Sequence, residues 1–214
     1  MSNPGSPSDG QSTGSGSTLK PYLRRKKSSL GETKIAVLGM SGVGKSALCV
    51  RFLTKRFIGE YDQANDNKYK CTTTLEGESV TFELLDTRSN DDDMGARDDV
   101  VRWADGFLLV YSVTSRQTFD VLADVRRRVE DMKKVSHVPV ILVGNKADLA
   151  HVRQVTQDEG ARLAAELSCS FMEVSASEDV TKVMDAFHTL CREIIEYKRR
   201  SRTFLDRVFG LKKS

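Results

Sequence analysis

The sequence predicts an α/β protein whose sheet is mostly parallel, and two observations support this prediction. From Lys34 onward, short apolar strand-like runs alternate with longer stretches that have helical spacing. The first of these runs leads directly into a glycine-rich turn and then into an amphipathic helix. Because strands that alternate with helices pair in parallel through right-handed crossovers, we expect one sheet with helices on both faces.

The elements are predicted in the following order. Residues 35–38 form the first buried strand, and Leu48, Phe52 and Leu53 give the next helix its apolar spacing. Two later strands are apolar almost throughout, which predicts central strands covered on both faces. These two strands lie at 107–113 and 139–143, and two further strands lie at 70–75 and 80–85. Helices are predicted at 92–103, 117–133, 157–167 and 179–197.

Length and composition predict a soluble globular protein of one domain with tails. The chain has 214 residues, of which 39% are hydrophobic and 29% charged. It has neither an apolar run of the ~20 residues that a membrane span requires nor an N-terminal signal core, so we expect a cytoplasmic protein. We expect its four widely spaced cysteines to be reduced and its three scattered histidines to form no zinc site.

Charge is distributed unevenly and divides the chain into three parts. Residues 1–32, rich in Gly, Ser and Pro at their start, carry a net +3 and are predicted to be a disordered basic extension. Residues 198–214 carry +6, so the folded part at 33–197 carries −6 within a total of +3. An acidic body argues against a nucleic-acid partner, and the basic ends point to an anionic contact such as a membrane surface.

A phosphate-binding loop is predicted at residues 39–46, which match the pattern G-x-x-x-x-G-K-[ST] between a strand and a helix. Its glycines allow backbone N–H groups to surround a phosphate, and the helix adds its positive end. Lys45 can reach the β- and γ-phosphates, and the Ser46 hydroxyl can bind Mg²⁺. The residues assigned to this loop are Gly39, Ser41, Gly42, Val43, Gly44, Lys45, Ser46 and Ala47.

The choice of base is predicted by the segment Asn145-Lys146-Ala147-Asp148, which follows a strand and precedes Leu149. The Asp148 carboxylate can accept hydrogen bonds from guanine N1–H and the 2-amino group, whereas adenine would leave it unpaired. Asn145 can contact the edge of the base, and the Lys146 stem can cover its ring. Guanine is therefore the expected base, and an ATP-using P-loop enzyme is disfavoured.

Together these motifs resemble those of Ras-type small GTPases over about residues 33–197. Residues 45–58, 60–62, 144–149 and 153–155 are most similar to the branch that contains the Ras-related estrogen-regulated growth inhibitor. The resemblance implies the P-loop NTPase fold of a small G domain, with a six-stranded, mostly parallel sheet and five helices. It also implies one bound GDP or GTP with Mg²⁺, the metal being held by Ser46 and Asp86.

The resemblance also assigns roles near the base. It places Phe57 edge-on against the guanine and Ser175-Ala176-Ser177 in the last base-contacting loop, with the Ala176 N–H facing the guanine carbonyl. The family usually has lysine where this chain has Ser177, so we expect weaker nucleotide affinity.

The two switch segments depart from the pattern that the resemblance implies. Ala64 stands where a Mg²⁺-binding threonine is expected. Asp86 is kept, but Ser89 replaces the glycine that meets the γ-phosphate. Asn90, in place of the glutamine that orients the attacking water, is one methylene shorter, and catalytic geometry tolerates little displacement.

Further departures concern charge and access. Residues 91–93 are three aspartates, which we interpret as a solvated surface turn. Ser41 stands where Ras has glycine, and the resemblance implies that its side chain would crowd the arginine finger of an activating protein, which can raise the rate ~10³–10⁵-fold. Catalytic roles are assigned to Lys45 and Asn90, and we expect GDP and GTP binding with slow GTP hydrolysis. The alternative is a guanine-nucleotide-binding scaffold that does not hydrolyse.

The C-terminal tail has no cysteine box at residues 211–214, so no prenylation is expected. As a helix it would carry basic residues beside one apolar face. Such a helix can lie in a membrane interface or enter a calmodulin-type groove, or else dock on its own domain or fray. We expect a monomer, cytoplasmic or peripheral at the inner face of a membrane. The residues of the apolar face are Phe204, Leu205, Val208, Phe209 and Leu211.

Overall fold

The computed structural model describes residues 32–57, 67–75, 77–87, 97–135 and 137–208, with only the backbone at 202 and 204–208. The strands are β1 (Thr33–Leu38), β2 (Asn67–Leu75), β3 (Glu78–Asp86), β4 (Gly106–Ser112), β5 (Val140–Asn145) and β6 (Ser170–Glu173). The helices are α1 (Lys45–Thr54), α2 (Asp98–Trp103), α3 (Arg116–Asp120), α4 (Leu122–Lys133), α5 (Gln157–Glu166) and α6 (Val180–Val208), with a 3₁₀ turn at Ala150–Val152.

The six strands form one sheet in the order β2-β3-β1-β4-β5-β6. Four pairings are parallel, and only β2 and β3 pair antiparallel. This arrangement confirms the predicted six-stranded, mostly parallel sheet of a small G domain. The carboxyl ends of β1, β3, β4 and β5 lie along one edge, which brings the loops that follow them together.

Both faces of the sheet are covered, because successive residues of each strand point to opposite sides. In β1, Ile35 and Val37 pack against α1 and α6, whereas Ala36 and Leu38 pack against α2, α4 and α5. All residues of β4 and β5 are buried, which confirms the prediction of central strands. On the α6 face, Phe52 stacks on Phe187 with ring centroids 4.3 Å apart.

The helix predicted at 117–133 is divided into α3 and α4 at Val121, so the described residues contain six α-helices instead of the five implied. The split has no glycine or proline signal. The hydroxyl of Thr118 is turned inward, accepting from Ser112 N at 3.0 Å and donating to Ser115 O at 2.8 Å, and this fixes α3 on β4. The helix predicted from residue 92 is described only from Asp98.

The last helix is longer than predicted and passes the expected domain limit between 197 and 198 without interruption. Lys198 Nζ donates to Asp105 Oδ2 at 2.6 Å and to Glu32 O at 3.1 Å, which ties α6 to the segment after α2. Although α6 has 29 residues, neither it nor another helix of the described ranges is apolar enough over sufficient length to cross a bilayer.

Candidate nucleotide-binding site

The phosphate loop connects β1 to α1, and its glycines are required by its backbone. Gly39 has φ 145° and Gly44 has φ 95°, both in the region that favours glycine. A Cβ would lie 2.2 Å from Val110 O at Gly39 and 2.4 Å from Asn145 Nδ2 at Gly44. Gly44 caps α1 without a side chain, so the first-turn amides of α1 are free of side-chain capping and suit an anion.

Lys45, the first residue of α1, is 7% exposed and curls back along the loop. Its Nζ donates to the carbonyl oxygens of Gly39 and Met40, each at 2.9 Å. Burial lowers the pKa of Lys45 to about 8, and the nearby Asp86 carboxylate opposes part of that shift. A phosphate would stabilise the charged ammonium, so this lysine is placed to exchange its carbonyl partners for phosphate oxygens.

Asp86 ends β3 and lies close to the start of α1, where its charge affects the pKa of both Lys45 and Cys49. It is 4% exposed. The next residue, Thr87, donates from Oγ1 to Val37 O at 2.6 Å and so fixes the chain after Asp86 against β1. The role of this buried hydroxyl, directly after the predicted Asp86, has no signal in the sequence.

The residues predicted to bind Mg²⁺ have suitable chemistry. Ser46 supplies a hydroxyl from the first turn of α1, and Asp86 supplies a buried carboxylate, and Mg²⁺ prefers such hard oxygen ligands. In the described part of the chain no three His, Cys, Asp or Glu side chains form a metal cluster. Mg²⁺ commonly keeps several waters and phosphate oxygens, so two protein ligands are sufficient.

Asn145, the last residue of β5, is 1% exposed and holds two loops together. Its Nδ2 donates to Val43 O at 2.9 Å, and its Oδ1 accepts from Ala176 N at 3.2 Å. The motif predicts Asn145 at the edge of the base, and the family resemblance implies that the Ala176 N–H faces the guanine carbonyl. These two groups bind each other in the structure, as a buried amide requires a partner, and their contacts with a base stay predictions.

The turn after Asn145 reaches back to the phosphate loop. Lys146 has a left-handed backbone with φ 66°, and its Nζ donates to Gly42 O at 2.7 Å. The Ala147 N–H donates to Val174 O at 3.1 Å, and the Leu149 N–H donates to Lys146 O at 3.0 Å. Asp148 therefore lies, half-buried, in a turn that is anchored on both sides.

The third predicted segment, at 175–177, is closed by its own side chains. The hydroxyls of Ser175 and Ser177 are 2.8 Å apart, and Ser175 Oγ accepts from Glu178 N at 3.1 Å. From outside the loop, Arg51 Nη2 donates to Ser177 O at 3.2 Å. The same loop follows Glu173, which forms a two-bond ion pair with Arg153 at 2.6 and 2.9 Å.

The fold thus brings three of the predicted segments into one site: the phosphate loop, the segment after β5 and the loop after β6. Val43 and Ala47 are buried, so they present only backbone, whereas Ser41 is exposed. Phe57 is 47% exposed, at the end of a described range, and is accessible to a ligand. The predicted departures at Ala64, Ser89, Asn90 and 91–93 lie outside the described residues.

Two contacts of this site carry no local sequence signal. Arg51 and Ser177 are 126 positions apart, and Arg153 and Glu173 are 20 apart. The first pair meets where α1 passes beside the loop that follows β6, and the second where the chain after the 3₁₀ turn passes beside the end of β6. Motif spacing predicts contacts only between residues that are close in sequence, and these pairs are not.

The fold and the site define a P-loop nucleotide-binding protein with the architecture of a small G domain. The family model described as Ras family matches residues 34–196, and the chain belongs to the Ras family. Its members bind GDP and GTP and hydrolyse GTP, so this is a Ras-like GTP-binding signalling protein.

Individual relatives agree with this assignment. The chain is 47% identical over 163 residues to the Ras-related and estrogen-regulated growth inhibitor of Bos taurus, covering 76% of this chain and 81% of that protein. It is 46% identical to the Homo sapiens protein of the same name, with the same coverage. It is 45% identical over 184 residues to Ras-like protein family member 11B of Danio rerio, covering 83% of this chain and 75% of that protein.

Proposed function

We propose that this protein cycles between GDP- and GTP-bound states with Mg²⁺ and hydrolyses GTP slowly. The observation that carries the proposal is the contrast between two parts of the site. The base and phosphate loops are joined by the buried bonds of Asn145 and by Lys146. The positions expected to sense the γ-phosphate instead carry Ala64, Ser89 and Asn90.

Each binding residue has a defined task in this proposal. Loop amides and Lys45 hold the β- and γ-phosphates, and Asp148 accepts from the guanine N1–H and 2-amino groups. Ser46 and Asp86 would hold Mg²⁺, which when bound neutralises charge on the phosphate oxygens. The base and the β-phosphate are held without the altered switch positions, so GDP binding is expected to be retained, whereas GTP loses the contacts expected at Ala64 and Ser89.

Hydrolysis is expected to be slow because it depends on those altered positions. Ala64 has no side-chain oxygen with which the first switch segment could bind Mg²⁺ and close over GTP. The Asn90 amide is one methylene short of the expected glutamine, and a displacement of about 1 Å can cost ~10²-fold in rate. Ser41, exposed on the phosphate loop, would crowd an arginine supplied by an activating protein.

The direct test is single-turnover hydrolysis of GTP loaded on purified protein with Mg²⁺, beside an ordinary Ras protein. The wild type should be slower, and Asn90→Gln combined with Ser89→Gly and Ala64→Thr should accelerate it. The matched control is Arg162→Met, an exposed change on α5 that should leave the rate unaltered. Wild-type hydrolysis as fast as that of the Ras protein would refute slow turnover.

A second candidate function is a guanine-nucleotide-binding scaffold that neither switches nor hydrolyses. Ala64 and Ser89 favour it, because both remove features with which the switches sense the γ-phosphate. Protease sensitivity of the segments around these residues, compared between the GDP form and a non-hydrolysable GTP form, separates the candidates. A cycling GTPase should differ between the two forms, and a scaffold should not.

For localisation we propose a monomer that associates peripherally with an anionic membrane through its basic C-terminal part. The support is that α6 extends without a break from the folded body into this part, through Lys198, Arg199 and Arg200. Each basic residue near an anionic leaflet contributes about 1 kcal/mol. Because truncation at 198 would cut α6, the test uses Arg→Gln at 199, 200, 202 and 207.

Co-sedimentation with vesicles that contain phosphatidylserine should fall in this charge variant, and it should be weak with neutral vesicles. Substitution of Arg162, Arg192 and Lys182 by Gln, basic residues exposed elsewhere, is the control for charge alone. Equal binding of wild type and tail variant to the anionic vesicles would contradict membrane association. Ca²⁺-dependent binding to calmodulin without vesicle binding would favour the groove alternative instead.

A further inference from the structure

Arg51 connects the helix of the phosphate site to the loop of the base site. It lies in the last turn of α1, the helix that begins with Lys45 and Ser46. Its Nη2 donates to the backbone carbonyl of Ser177 at 3.2 Å. Its Nε is buried and has no hydrogen-bond partner among the described residues, so the Ser177 carbonyl is the polar partner that fixes this guanidinium.

The loop at Ser177 has few other external supports. Inside it, Ser175 and Ser177 bind each other through their hydroxyls, and Ser175 also accepts from Glu178. Asn145 holds the near side through the Ala176 N–H. The far side is held by Arg51, so one external bond is made to Ala176, the residue expected to meet the base, and the other to the residue that follows it.

The serine at 177 makes this support more important. A lysine stem at this position would bring its own packing, whereas the Ser177 side chain reaches only to Ser175. An arginine is suited to hold a carbonyl from a distance, since its planar group presents several donors on a long stem. Because α1 is a rigid element that starts at the phosphates, a bond from Arg51 fixes the loop relative to the phosphate loop.

We propose that Arg51 is a positioning residue for guanine binding, which sets how long GDP and GTP remain bound. This inference rests on the proposed function, because it requires that the loop at 175–177 contacts a guanine base. Arg51 touches the loop and not the reacting phosphate. Its loss should therefore shorten nucleotide residence without altering the hydrolysis step.

The test measures dissociation of fluorescent GDP and GTP analogues from the full-length wild type, Arg51→Met, Arg51→Lys and Arg162→Met. Arg51→Met keeps the length of the stem and removes the donors, and it should raise both dissociation rates about tenfold, the effect of losing one charge-assisted hydrogen bond. Arg51→Lys should lie between wild type and Arg51→Met. Arg162→Met should match the wild type.

Two further readouts distinguish positioning from general damage. Single-turnover hydrolysis of bound GTP should be unchanged in Arg51→Met. The ratio of affinities for GDP and inosine diphosphate should also be unchanged, because the 2-amino group that differs between them is recognised by Asp148. A fall in hydrolysis in proportion to affinity would mean that α1 is damaged as a whole and would overturn the positioning role.

The remaining outcomes separate this inference from the proposed function. Wild-type protein that binds guanine nucleotides, with Arg51→Met equal to it in dissociation rate, would overturn the role of Arg51 alone. Wild-type protein that binds no guanine nucleotide would overturn the proposed function and, with it, this inference.

Discussion

The side-chain amide of Asn145 donates to the backbone carbonyl of Val43 at 2.9 Å. This bond joins the loop that selects the base to the loop that holds the phosphates, and the other end of the same amide holds Ala176. The two halves of the site therefore share one buried side chain. A nucleotide that binds both halves meets loops whose relative position is already fixed, which lowers the cost of ordering them.

We expect Asn145→Ala to weaken both halves of the site together. The substitution leaves the buried Val43 carbonyl and Ala176 N–H unpaired, at about 1–3 kcal/mol each. Nucleotide dissociation should accelerate at least tenfold for GDP and GTP alike. Stopped-flow displacement measures both rates, and Asn145→Asp, which loses the donor and buries a carboxylate beside the Val43 carbonyl, should be at least as fast as alanine. Unchanged rates in Asn145→Ala would show that the bond has no role in binding.

Gly44→Ala should abolish nucleotide binding, because it combines backbone strain with a steric conflict. Gly44 has φ 95°, and the new Cβ would lie 2.4 Å from Asn145 Nδ2. Gly77→Ala is the matched control, since Gly77 has φ 83° and nothing within 4 Å. The control should lose about 1 kcal/mol of stability to strain alone and keep its GDP affinity. Equal GDP affinities in both variants, measured by titration calorimetry, would contradict the assigned geometry.

Nucleotide affinity should depend on pH through Lys45. Its pKa in the nucleotide-free protein is lowered by burial to about 8, and bound phosphate should raise it again. Below pH 8 Lys45 is protonated in both states, so affinity is flat. Above pH 8 binding takes up a proton, and affinity should fall by up to about tenfold per pH unit.

Calorimetry of GDP binding at pH 9 in two buffers of different ionisation enthalpy should show uptake of nearly one proton. The same experiment at pH 7 is the control, where Lys45 should contribute no uptake. Equal proton uptake at pH 7 and pH 9 would exclude Lys45 as the titrating group.

The ion pair of Arg153 with Glu173 should stabilise the fold, unlike the exposed pairs. The two side chains are 22% and 11% exposed, and Glu173 immediately precedes the loop at 175–177. Arg153→Met would leave a largely buried carboxylate uncompensated, at about 3 kcal/mol. Arg127→Met is the control, because Arg127 pairs with Asp124 at the surface, where the two side chains are 68% and 54% exposed. Such an exposed pair contributes about 0.5 kcal/mol. Chemical denaturation compares the two variants, and similar losses would contradict the importance of burial.

Local motifs account for the parts of the site that the sequence predicted. Two of these motifs are contiguous segments, residues 39–46 and residues 145–148. Their residue types restrict both the backbone conformation and the chemistry, so their function can be predicted without a structure. The central strands were predicted for a similar reason, since only a strand covered on both faces is apolar throughout. Strand β6 was not found as a separate run, because its four residues are all of intermediate burial and carry no alternation.

The remaining features depend on contacts between distant segments. The inward bonds of Asn145 and the bond of Arg51 to Ser177 become visible only when the loops after β5 and β6 are placed next to α1. The split at Val121 has the same origin, because the inward hydroxyl of Thr118 is selected by packing on β4 and not by local propensity. Sequence reading therefore identified the residues of the site better than the bonds that position them.

The most direct test of the central claim is competition between GDP and ADP for the purified protein, with Asp148→Asn measured in parallel. We predict that the wild type prefers GDP strongly, because adenine offers the Asp148 carboxylate no donor at N1 or C2. Asp148→Asn should lose that preference and gain affinity for xanthosine diphosphate, whose C2 carbonyl accepts from the new amide. Wild-type protein that binds GDP and ADP equally, or neither, would contradict the account.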